Sequence, residues 1–269
     1  MRLLILVLLS LIPLTSTAQQ APTTREMNLL GWQEFAELVP SRTETVLIPT
    51  GTLEAHGVLP NGADNISPEA MARDIADGLN ALIAPTLNYG VTGTLDAFPG
   101  TFSIDSETYE AFVAAILSGL AQNGFRNLII LNGHGGPQTE ILERVAESVG
   151  REQRVRTLVT NWWAIAADIT LDVFGDQGGH AGNNETGYVQ AIVPEHVHPD
   201  RYDPSMASAR GNGWKAYPFP SSIVLYEEGD GYPKFDQQQA DEYFRRVNAR
   251  MTELISTTVE RWDRARLYR

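Results

Sequence analysis

The sequence predicts an α/β fold in which a mainly parallel β-sheet has helices on both of its faces. Four apolar segments have the length of buried strands: residues 45–50, 81–87, 127–131 and 155–159. Segments with the helical spacing of apolar residues alternate with these strands, an order that is typical of parallel sheets. No internal repeat or low-complexity linker interrupts the pattern, so we expect one domain over residues 19–269.

The helices of the first half are marked by the residues at their ends. A short helix at 32–39 is expected before the first strand. A second helix is predicted over residues 67–80, because Ser67 is a favourable N-cap and the proline and glutamate after it suit a first turn. A third helix is predicted to begin after Asp105 and to end before Gly124, since glycine suits a helix C-terminus.

The remaining predicted elements are helices at 137–149, 184–193 and 236–262, an edge strand at 222–226, and loops at 90–104, 176–182 and 199–220. In open α/β sheets, ligands bind at the carboxyl ends of the strands. The residues that directly follow each strand are therefore the first candidates for a functional site.

Composition and charge exclude several classes of function. The 269 residues include 20 lysines and arginines against 33 acidic residues, which gives a net charge of −13. A surface of this sign repels nucleic acid, and no cluster of basic residues is present to bind anionic lipid. The absence of cysteine excludes disulfides, thiolate metal sites and a thiol nucleophile. We expect neither a nucleic-acid partner nor, in the mature chain, a membrane partner.

The first 18 residues have the layout of a secretory signal peptide. One basic residue, Arg2, precedes an apolar segment at 3–14, and the small residues Ser16 and Ala18 stand at the −3 and −1 positions of a cleavage site. The apolar segment is shorter than the roughly 20 residues that a spanning helix needs, which argues against the alternative of a membrane anchor. We expect cleavage after Ala18 and a periplasmic or secreted mature chain.

Side chains that bind metals follow two of the predicted strands. Glu54, His56 and Asp64 come after the first strand, and His134 comes after the third. We expect these side chains to converge, because the carboxyl ends of parallel strands meet at one edge of a sheet. Imidazole and carboxylate ligands without thiolate suit Zn²⁺, Mn²⁺ or Fe²⁺. A carboxylate such as Asp64 can bridge two ions, so either one or two ions are possible.

A glycine-rich loop adds His180 and, five residues later, Glu185 to the candidates. Three of the five histidines stand among glycines directly after apolar segments: His56, His134 and His180. Taken singly, each candidate is also explained as a cap or a solvated loop residue, but their shared placement favours a site. His196 and His198 lie in a loop bounded by prolines and are expected at the surface.

Four segments together resemble those of the creatininase family, also called creatinine amidohydrolases. They are Ile48–Gly57 with Asp64, Phe98–Thr101 with Ser103, Asn132–Gly136, and His180–Thr186. The third reads N-G-H-G-G and the fourth H-A-G-N-N-E-T, close to the family's N-G-H-G-G-N and H-A-G-E-x-E-T-S. Each short motif alone is weak evidence, but the set occurs in the family's order and spans about half of the chain.

The resemblance implies a three-layer αβα sandwich and a metal-dependent hydrolase that cleaves C–N bonds of amides, often cyclic ones. It also implies a homo-oligomer, commonly a hexamer. By their positions in the motifs, four residues correspond to metal ligands: Glu54, His56, Asp64 and His134. Among them, Asp64 is the expected bridge between two ions.

The resemblance also implies roles around the substrate. His180 matches a position used for proton transfer or substrate contact, and Glu185 matches an acidic position of the active site. Either Trp162 or Trp163 corresponds to an aromatic residue that closes over the substrate, and Thr92 corresponds to a hydroxyl that contacts it.

Two departures from the family motifs bear on the metal site. The second histidine of the first motif is absent, and Gly136 stands where creatininase has a metal-binding glutamate. Either Glu185 supplies the missing acid or the second ion is absent. We expect Glu185 to be that ligand, because it is the acid available in the last motif.

The leading hypothesis is an exported metal-dependent amidohydrolase, in which activated water attacks a small-molecule amide and His180 protonates the leaving nitrogen. We expect His180 not to be a tight ligand, because a ligated imidazole cannot shuttle a proton; the alternative is that it only braces its loop. Two other functions stay open. One is an exported small-molecule-binding protein of the same fold without turnover, and the other is a metal-dependent lactonase or other hydrolase.

Overall fold

The computed structural model describes residues 22–211 and 213–268. The predicted signal peptide, residues 1–18, lies outside the described residues and stays a prediction. Within the described part of the chain, no helix combines the length and the apolar character that crossing a bilayer requires.

A parallel sheet of four strands forms the centre of the fold. Its strands are β1 (Thr45–Thr50), β2 (Ala81–Ile83), β3 (Asn127–Asn132) and β4 (Arg156–Asn161). Their order across the sheet is β2-β1-β3-β4. Thr50 pairs with Asn132, and Asn132 pairs with Asn161, so the carboxyl ends of β1, β3 and β4 are level. Both β1 and β3 are buried along their whole length, as unbroken apolar segments predict.

Helices cover both faces of this sheet, which confirms the predicted αβα arrangement. They are α1 (Trp32–Leu38), α2 (Ala63–Ile75), α3 (Ser106–Gln122), α4 (Pro137–Gln153), α5 (Trp162–Ile165), α6 (Ala167–Phe174), α7 (Asn183–Ile192) and α8 (Gln237–Arg264). Successive residues of a strand point to opposite faces. Val46 accordingly packs against α3 and α4, and Leu47 packs against α2 and α8.

The structure has a second sheet of three short strands, and the sequence predicts only one of them. Its strands are β5 (Gly179–His180), β6 (Ala207–Ala209) and β7 (Ile223–Leu225), in the order β5-β7-β6. The strand predicted at 222–226 is present as β7, but its predicted position at an edge is wrong, because β7 is central. Strand β6 interrupts the loop predicted at 199–220. Strands of two or three residues are too short to show alternation of apolar and polar residues.

Two of the boundaries that differ from the predicted ones involve proline. Helix α2 begins at Ala63 rather than at Ser67, so that Pro68 lies inside the helix. The second strand ends at Ile83, two residues before Pro85, which cannot donate a hydrogen bond to a neighbouring strand.

Pro68 also affects how the first turns of α2 meet the sheet. A residue at this position would normally donate its N–H to the carbonyl of Asp64, four residues earlier, but proline has no N–H. The Asp64 carbonyl instead packs against Gly51 and Gly133, which directly follow β1 and β3. A methyl group on either glycine would overlap the carbonyl oxygen. The two glycines therefore let α2 approach the strand ends and place Asp64 between them.

Replacing Gly51 or Gly133 with alanine is expected to lower the free energy of unfolding by roughly 3 kcal/mol, because a methyl group pressed against helix backbone cannot rotate away. Gly119→Ala in α3 is the matched control, since a Cβ atom there meets nothing within 4 Å. Removal of this helical glycine should raise the free energy of unfolding by about 0.5–1 kcal/mol. Denaturant unfolding followed by circular dichroism measures all three variants, and equal stabilities would contradict the close packing around Asp64.

Candidate metal centre

Six side chains that the sequence singles out come together at the carboxyl end of the central sheet. They are Glu54, His56, Asp64, His134, His180 and Glu185. The segments after β1 and β3, the first turns of α2 and α7, and the small strand β5 supply them. The structure thus brings together residues that are far apart in the chain, whereas their individual roles stay predictions.

The Asp64 carboxylate lies in the middle of this cluster. Its Oδ1 atom is 2.9 Å from Nε2 of His56, and its Oδ2 atom is 2.8 Å from Nδ1 of His134. Glu54 places its Oε1 atom 3.2 Å from the same Nδ1 atom of His134. Asp64 therefore directs one oxygen to each of two imidazoles, which is the arrangement expected of a carboxylate that bridges two ions.

Each of the three clustered histidines binds a backbone carbonyl with one ring nitrogen and directs the other nitrogen into the cluster. Nδ1 of His56 is 2.9 Å from the carbonyl oxygen two residues earlier, and Nε2 of His134 is 3.1 Å from that of Val91. Nε2 of His180 is 2.7 Å from the carbonyl oxygen of Ala55. Because a carbonyl only accepts, these nitrogens donate, and the opposite nitrogen of each neutral ring keeps a free lone pair. Contacts of this kind orient imidazoles that bind metals.

The sequence motifs supply the local contacts that shape the cluster. In the N-G-H-G-G motif, the Asn132 amide donates to the His134 carbonyl at 2.6 Å, and its Oδ1 accepts from the His134 N–H at 3.2 Å. In the F-P-G-T motif, Oγ1 of Thr101 accepts a 3.1 Å hydrogen bond from the N–H of Ala55. Both motifs therefore hold the backbone beside the candidate ligands.

Glu185 stands in the first turn of α7, where its Oε2 atom accepts a 2.6 Å hydrogen bond from the N–H of Ala181. The same oxygen is 3.7 Å from Nε2 of His56. Gly136 lines the nearby cavity, and nothing lies within 4 Å of the point where a side chain there would begin. Glu185 is thus positioned to supply a carboxylate ligand next to His56. The space beside Gly136, where a side chain would stand, holds no atom of the residues that the structure describes.

Four members of the cluster are buried, among them Glu54 and His56, which are 2% and 1% exposed, whereas His180 and Glu185 are partly exposed. Burial acts to lower the pKa of His56, but the carboxylates around it, Asp64 first, raise this pKa to about 10. Burial also opposes the charged forms of His134, Asp64 and Glu54, but attraction between histidine and carboxylate outweighs it. The pKa of His134 is therefore raised, and the pKa values of Asp64 and Glu54 are lowered. In the metal-free chain, protonated imidazoles therefore supply the positive charge that buried carboxylates require.

The pKa values of His180 and Glu185 shift in the directions opposite to those of the other histidines and carboxylates in the cluster. Burial, together with the charge of His56, lowers the pKa of His180 to about 4. Burial, only partly offset by the charge of His56, raises the pKa of Glu185 to about 7. The His180 ring is therefore neutral near pH 7.

The donors fit divalent metal ions in two groups that share Asp64, and the ligand atoms of each group lie within 4.8 Å of one another. The groups are Glu54 with Asp64 and His134, and His56 with Asp64 and Glu185. Nitrogen and carboxylate donors of this kind suit Zn²⁺, Mn²⁺ or Fe²⁺. A third group, in which His180 joins Glu54 and His56, meets the same distance criterion. The geometry therefore allows His180 to be a ligand, and its predicted exclusion from the metal stays a prediction.

A cavity of about 360 Å³ opens beside the cluster and distinguishes the two candidate tryptophans. Trp163 lines this cavity. Trp162 is buried in the core, where its ring centroid lies 4.7 Å from that of Tyr188. Only Trp163 is therefore positioned to contact a substrate.

The remaining predictions of substrate contact need revision. Thr92 is buried and does not line the cavity, and its hydroxyl has no hydrogen-bond partner in the described part of the chain. Thr94, two residues later, lines the cavity instead. Arg210 and Tyr226 also line it, and sequence reasoning missed both because they belong to no recognisable motif.

Comparison with known proteins relates this geometry to proteins of known activity. A family model described as creatinine amidohydrolase matches residues 28–255. The creatinine amidohydrolase of Pseudomonas putida is 29% identical over 191 residues, which cover 64% of this chain and 73% of that protein. The mycofactocin precursor peptide peptidase of Mycobacterium ulcerans is 31% identical over 184 residues, which cover 64% of this chain and 67% of the peptidase.

Solved structures of creatininase share the fold. A crystal structure of creatinine amidohydrolase superimposes with a TM-score of 0.75 at 22% identity and covers 88% of this chain and 98% of that one. Other solved creatininases are described as Zn–Zn and Mn forms. At this level of identity the likeness shows the shared three-layer fold.

Metal content should depend more on Asp64 than on any other single ligand. Asp64→Asn is expected to lose all bound metal, because the residue belongs to both donor groups. Glu185→Gln should lose at most the ion beside His56. Asp200→Asn, an exposed acid outside the cluster, is the control. Mass-spectrometric metal analysis of purified protein measures the content, and wild-type metal in Asp64→Asn would rule out the bridging role.

Binding of Zn²⁺ to the metal-free chain at pH 7 is expected to release about two to three protons, because ligands must bind in their deprotonated form. Most of the protons come from His56 and His134, whose pKa values are raised in the metal-free chain, and Glu185, whose pKa is about 7, adds about half a proton. Release should therefore decrease as the pH is raised toward the His56 pKa of about 10. Calorimetric titrations in buffers of different ionisation enthalpy give the number of protons. A release near zero at pH 7 would contradict the account of protonated histidines that lose their protons to become ligands.

Proposed function

The chain belongs to the creatininase family, and on this premise we propose that it is a metal-dependent amidohydrolase that cleaves a C–N bond of a small-molecule amide with water. The observation that carries the proposal is the position of Asp64, whose two oxygens face two donor groups at the edge of a cavity. The chemistry that divalent ions supply in such a site is activation of water and polarisation of a carbonyl group.

The clustered residues are proposed to hold two ions. Glu54 and His134 would bind one ion, His56 and Glu185 would bind the other, and Asp64 would bind both. Zn²⁺ or Mn²⁺ is the preferred metal, because the donors suit borderline ions and the related creatininase structures include Zn–Zn and Mn forms. Fe²⁺ is compatible with the same donors.

His180 is proposed to move the proton that amide cleavage requires. Its Nε2–H group is held by the Ala55 carbonyl, and its Nδ1 atom faces the cluster, 3.3 Å from Oε1 of Glu54. A neutral ring in this orientation has a free lone pair at Nδ1. His180 therefore first accepts a proton at Nδ1 from the attacking water and then donates it to the leaving nitrogen.

The cavity limits the size of the substrate. Its volume of about 360 Å³ suits a small molecule. Trp163 and Tyr226 supply aromatic surface to its wall, and Thr94 supplies a hydroxyl group. These residues would orient the amide, while the carboxylates and imidazoles face the bond that breaks.

Two alternatives use the same geometry. A metal-dependent lactonase or other hydrolase would need the same residues, because attack of water on an ester carbonyl has the same requirements. A binding protein of the same fold would keep the metal and the cavity without turnover. Gly136 motivates this second alternative, since it leaves open space where creatininase carries an acid.

We further propose that the mature chain begins at Gln19, forms a single domain and is periplasmic or secreted. The layout of residues 1–18 supports export. A homo-oligomer, a hexamer by resemblance, is proposed on the family resemblance of the four sequence motifs.

Assays of the metal-loaded chain against creatinine, other lactams, linear amides and lactones test the proposed activity. We expect hydrolysis of at least one amide, loss of this activity on chelation, and its recovery with Zn²⁺ or Mn²⁺. Turnover of lactones but of no amide would indicate the metal-dependent lactonase. Bound metal without any turnover would indicate a binding protein.

His180→Ala is expected to keep its metal and to lower kcat by about 10²-fold or more, because general acid–base catalysis contributes about that much. His196→Ala is the control, since this histidine is exposed and lies outside the cluster. Metal content and kcat should be measured on the same samples. Loss of metal would make His180 a ligand, and unchanged kcat would leave it only a loop brace.

A further inference from the structure

Arg210 stands on the wall of the cavity that contains the metal-binding cluster. It directly follows β6, and its backbone N–H donates to the Leu225 carbonyl of β7 at 3.1 Å. On its other side β7 pairs with β5, which carries His180. The small sheet therefore fixes Arg210 two strand spacings, or about 10 Å, from the strand of His180.

Among the residues that the structure describes, the Arg210 guanidinium has no anionic partner. Its side chain is exposed, and no carboxylate in residues 22–211 and 213–268 forms an ion pair with it. Some surface arginines are paired, as Arg144 is with Glu110, whereas Arg201 and Arg245 form no ion pair in the described residues. Arg210 differs from these in lining the cavity beside the metal-binding cluster. In a chain with 33 acidic and 20 basic residues, an arginine left unpaired on a cavity wall is available to an anionic ligand.

Tyr226 connects Arg210 electrostatically to the metal-binding cluster. It lines the same cavity, and burial followed by the charge of Glu185 raises its pKa. The charge of Arg210 acts on this pKa in the opposite direction. Both charges therefore reach the Tyr226 hydroxyl, which places Arg210 within electrostatic range of a ligand bound beside Glu185.

A second lobe of about 250 Å³ adjoins this cavity at Arg210, and Lys215 is among its lining residues. Thr94 and Arg210 line both parts, so they mark the junction between them. The rings of Trp214 and Phe219 stack 6.0 Å apart in the wall of the second lobe. A ligand can thus extend from the metal centre past a cation and reach an aromatic surface.

Charge balance in the metal-loaded cavity also favours an anion. The carboxylates that line it are those of Glu54, Asp64 and Glu185. Two divalent ions, together with one hydroxide from the activated water, would balance these three negative charges, so the charge of Arg210 is the excess positive charge. A neutral or cationic amide would leave this excess uncompensated, whereas a ligand with a carboxylate group would reduce it.

We propose that Arg210 determines specificity and that the substrate is an amide that also carries a carboxylate, which Arg210 binds while the amide faces the metal centre. The inference rests on the proposed amidohydrolase function and adds the chemical class of its substrate. Arginine suits this role because two of its N–H groups match the two oxygens of a carboxylate.

Matched pairs of hydroxamic acids test this inference on the metal-loaded chain without any need for turnover. In each pair the hydroxamate group binds the metal centre, and the alkyl tail ends either in a carboxylate or in a methyl group. Tails of roughly two to five methylene groups cover the span of about 10 Å set by the small sheet. Calorimetry gives the Kd of each probe.

We expect the carboxylate of the best-fitting length to tighten binding at least about tenfold, as a charge-assisted contact does. Arg210→Gln should abolish this preference and leave the Kd of the methyl-terminated probe unchanged. Arg201→Gln, which removes an exposed arginine outside the cavity, should keep the preference.

The inference is wrong if no tail length gives a preference, or if the preference survives in Arg210→Gln. In either case binding of the methyl-terminated probes would leave the metal-dependent function standing. If those probes fail to bind the loaded chain, the proposed metal centre is itself wrong, and the inference about Arg210 falls with it.

Discussion

The site depends on one buried carboxylate, that of Asp64, and on the backbone contact that holds it in place. Burial of a carboxylate is costly unless positive charge and hydrogen-bond donors surround it. Asp64 meets this condition with one imidazole at each oxygen, His56 at 2.9 Å and His134 at 2.8 Å. Its backbone carbonyl packs against Gly51 and Gly133 at the ends of the two central strands. Close approach of α2 to the sheet and the capacity to bind metal are therefore linked through a single residue.

Two sheets divide the functional surface between them. The central sheet positions most of the candidate ligands, because the segments after β1 and β3 carry three of them and lie beside the first turn of α2. The small sheet carries His180 on β5 and Arg210 just after β6, on the side where a substrate would bind. Backbone carbonyls fix the orientation of all three clustered histidines. Because most metal ligands and the substrate-facing residues stand on different elements, substitutions on the small sheet can change substrate recognition without moving the metal ligands.

The sequence reveals those features whose signal is local. Strands β1 and β3 are unbroken apolar segments, so their positions and the ligand-bearing turns after them could be predicted. Features that depend on tertiary contact could not. Pro68 indicates a helix start by propensity, yet the contact with two glycines accommodates it inside α2. Trp162 and Trp163 are adjacent and identical, so the sequence cannot distinguish them. Tertiary packing buries Trp162 in the core and leaves Trp163 on the cavity wall. Arg210 belongs to no motif, and strands as short as those of the small sheet leave no periodic signal.

A crystal structure of the chain, purified without added metal and measured with anomalous scattering, tests the role of Asp64 most directly. Two metal peaks are expected about 3.5–4 Å apart, with one oxygen of Asp64 bound to each. Glu54 and His134 should be the other protein ligands of one ion, and His56 and Glu185 should be those of the second ion. For zinc, the distances from metal to ligand atom should be about 2.0–2.2 Å. A structure in which metal is bound elsewhere, while Asp64 keeps its hydrogen bonds to both histidines, would contradict the bridging role.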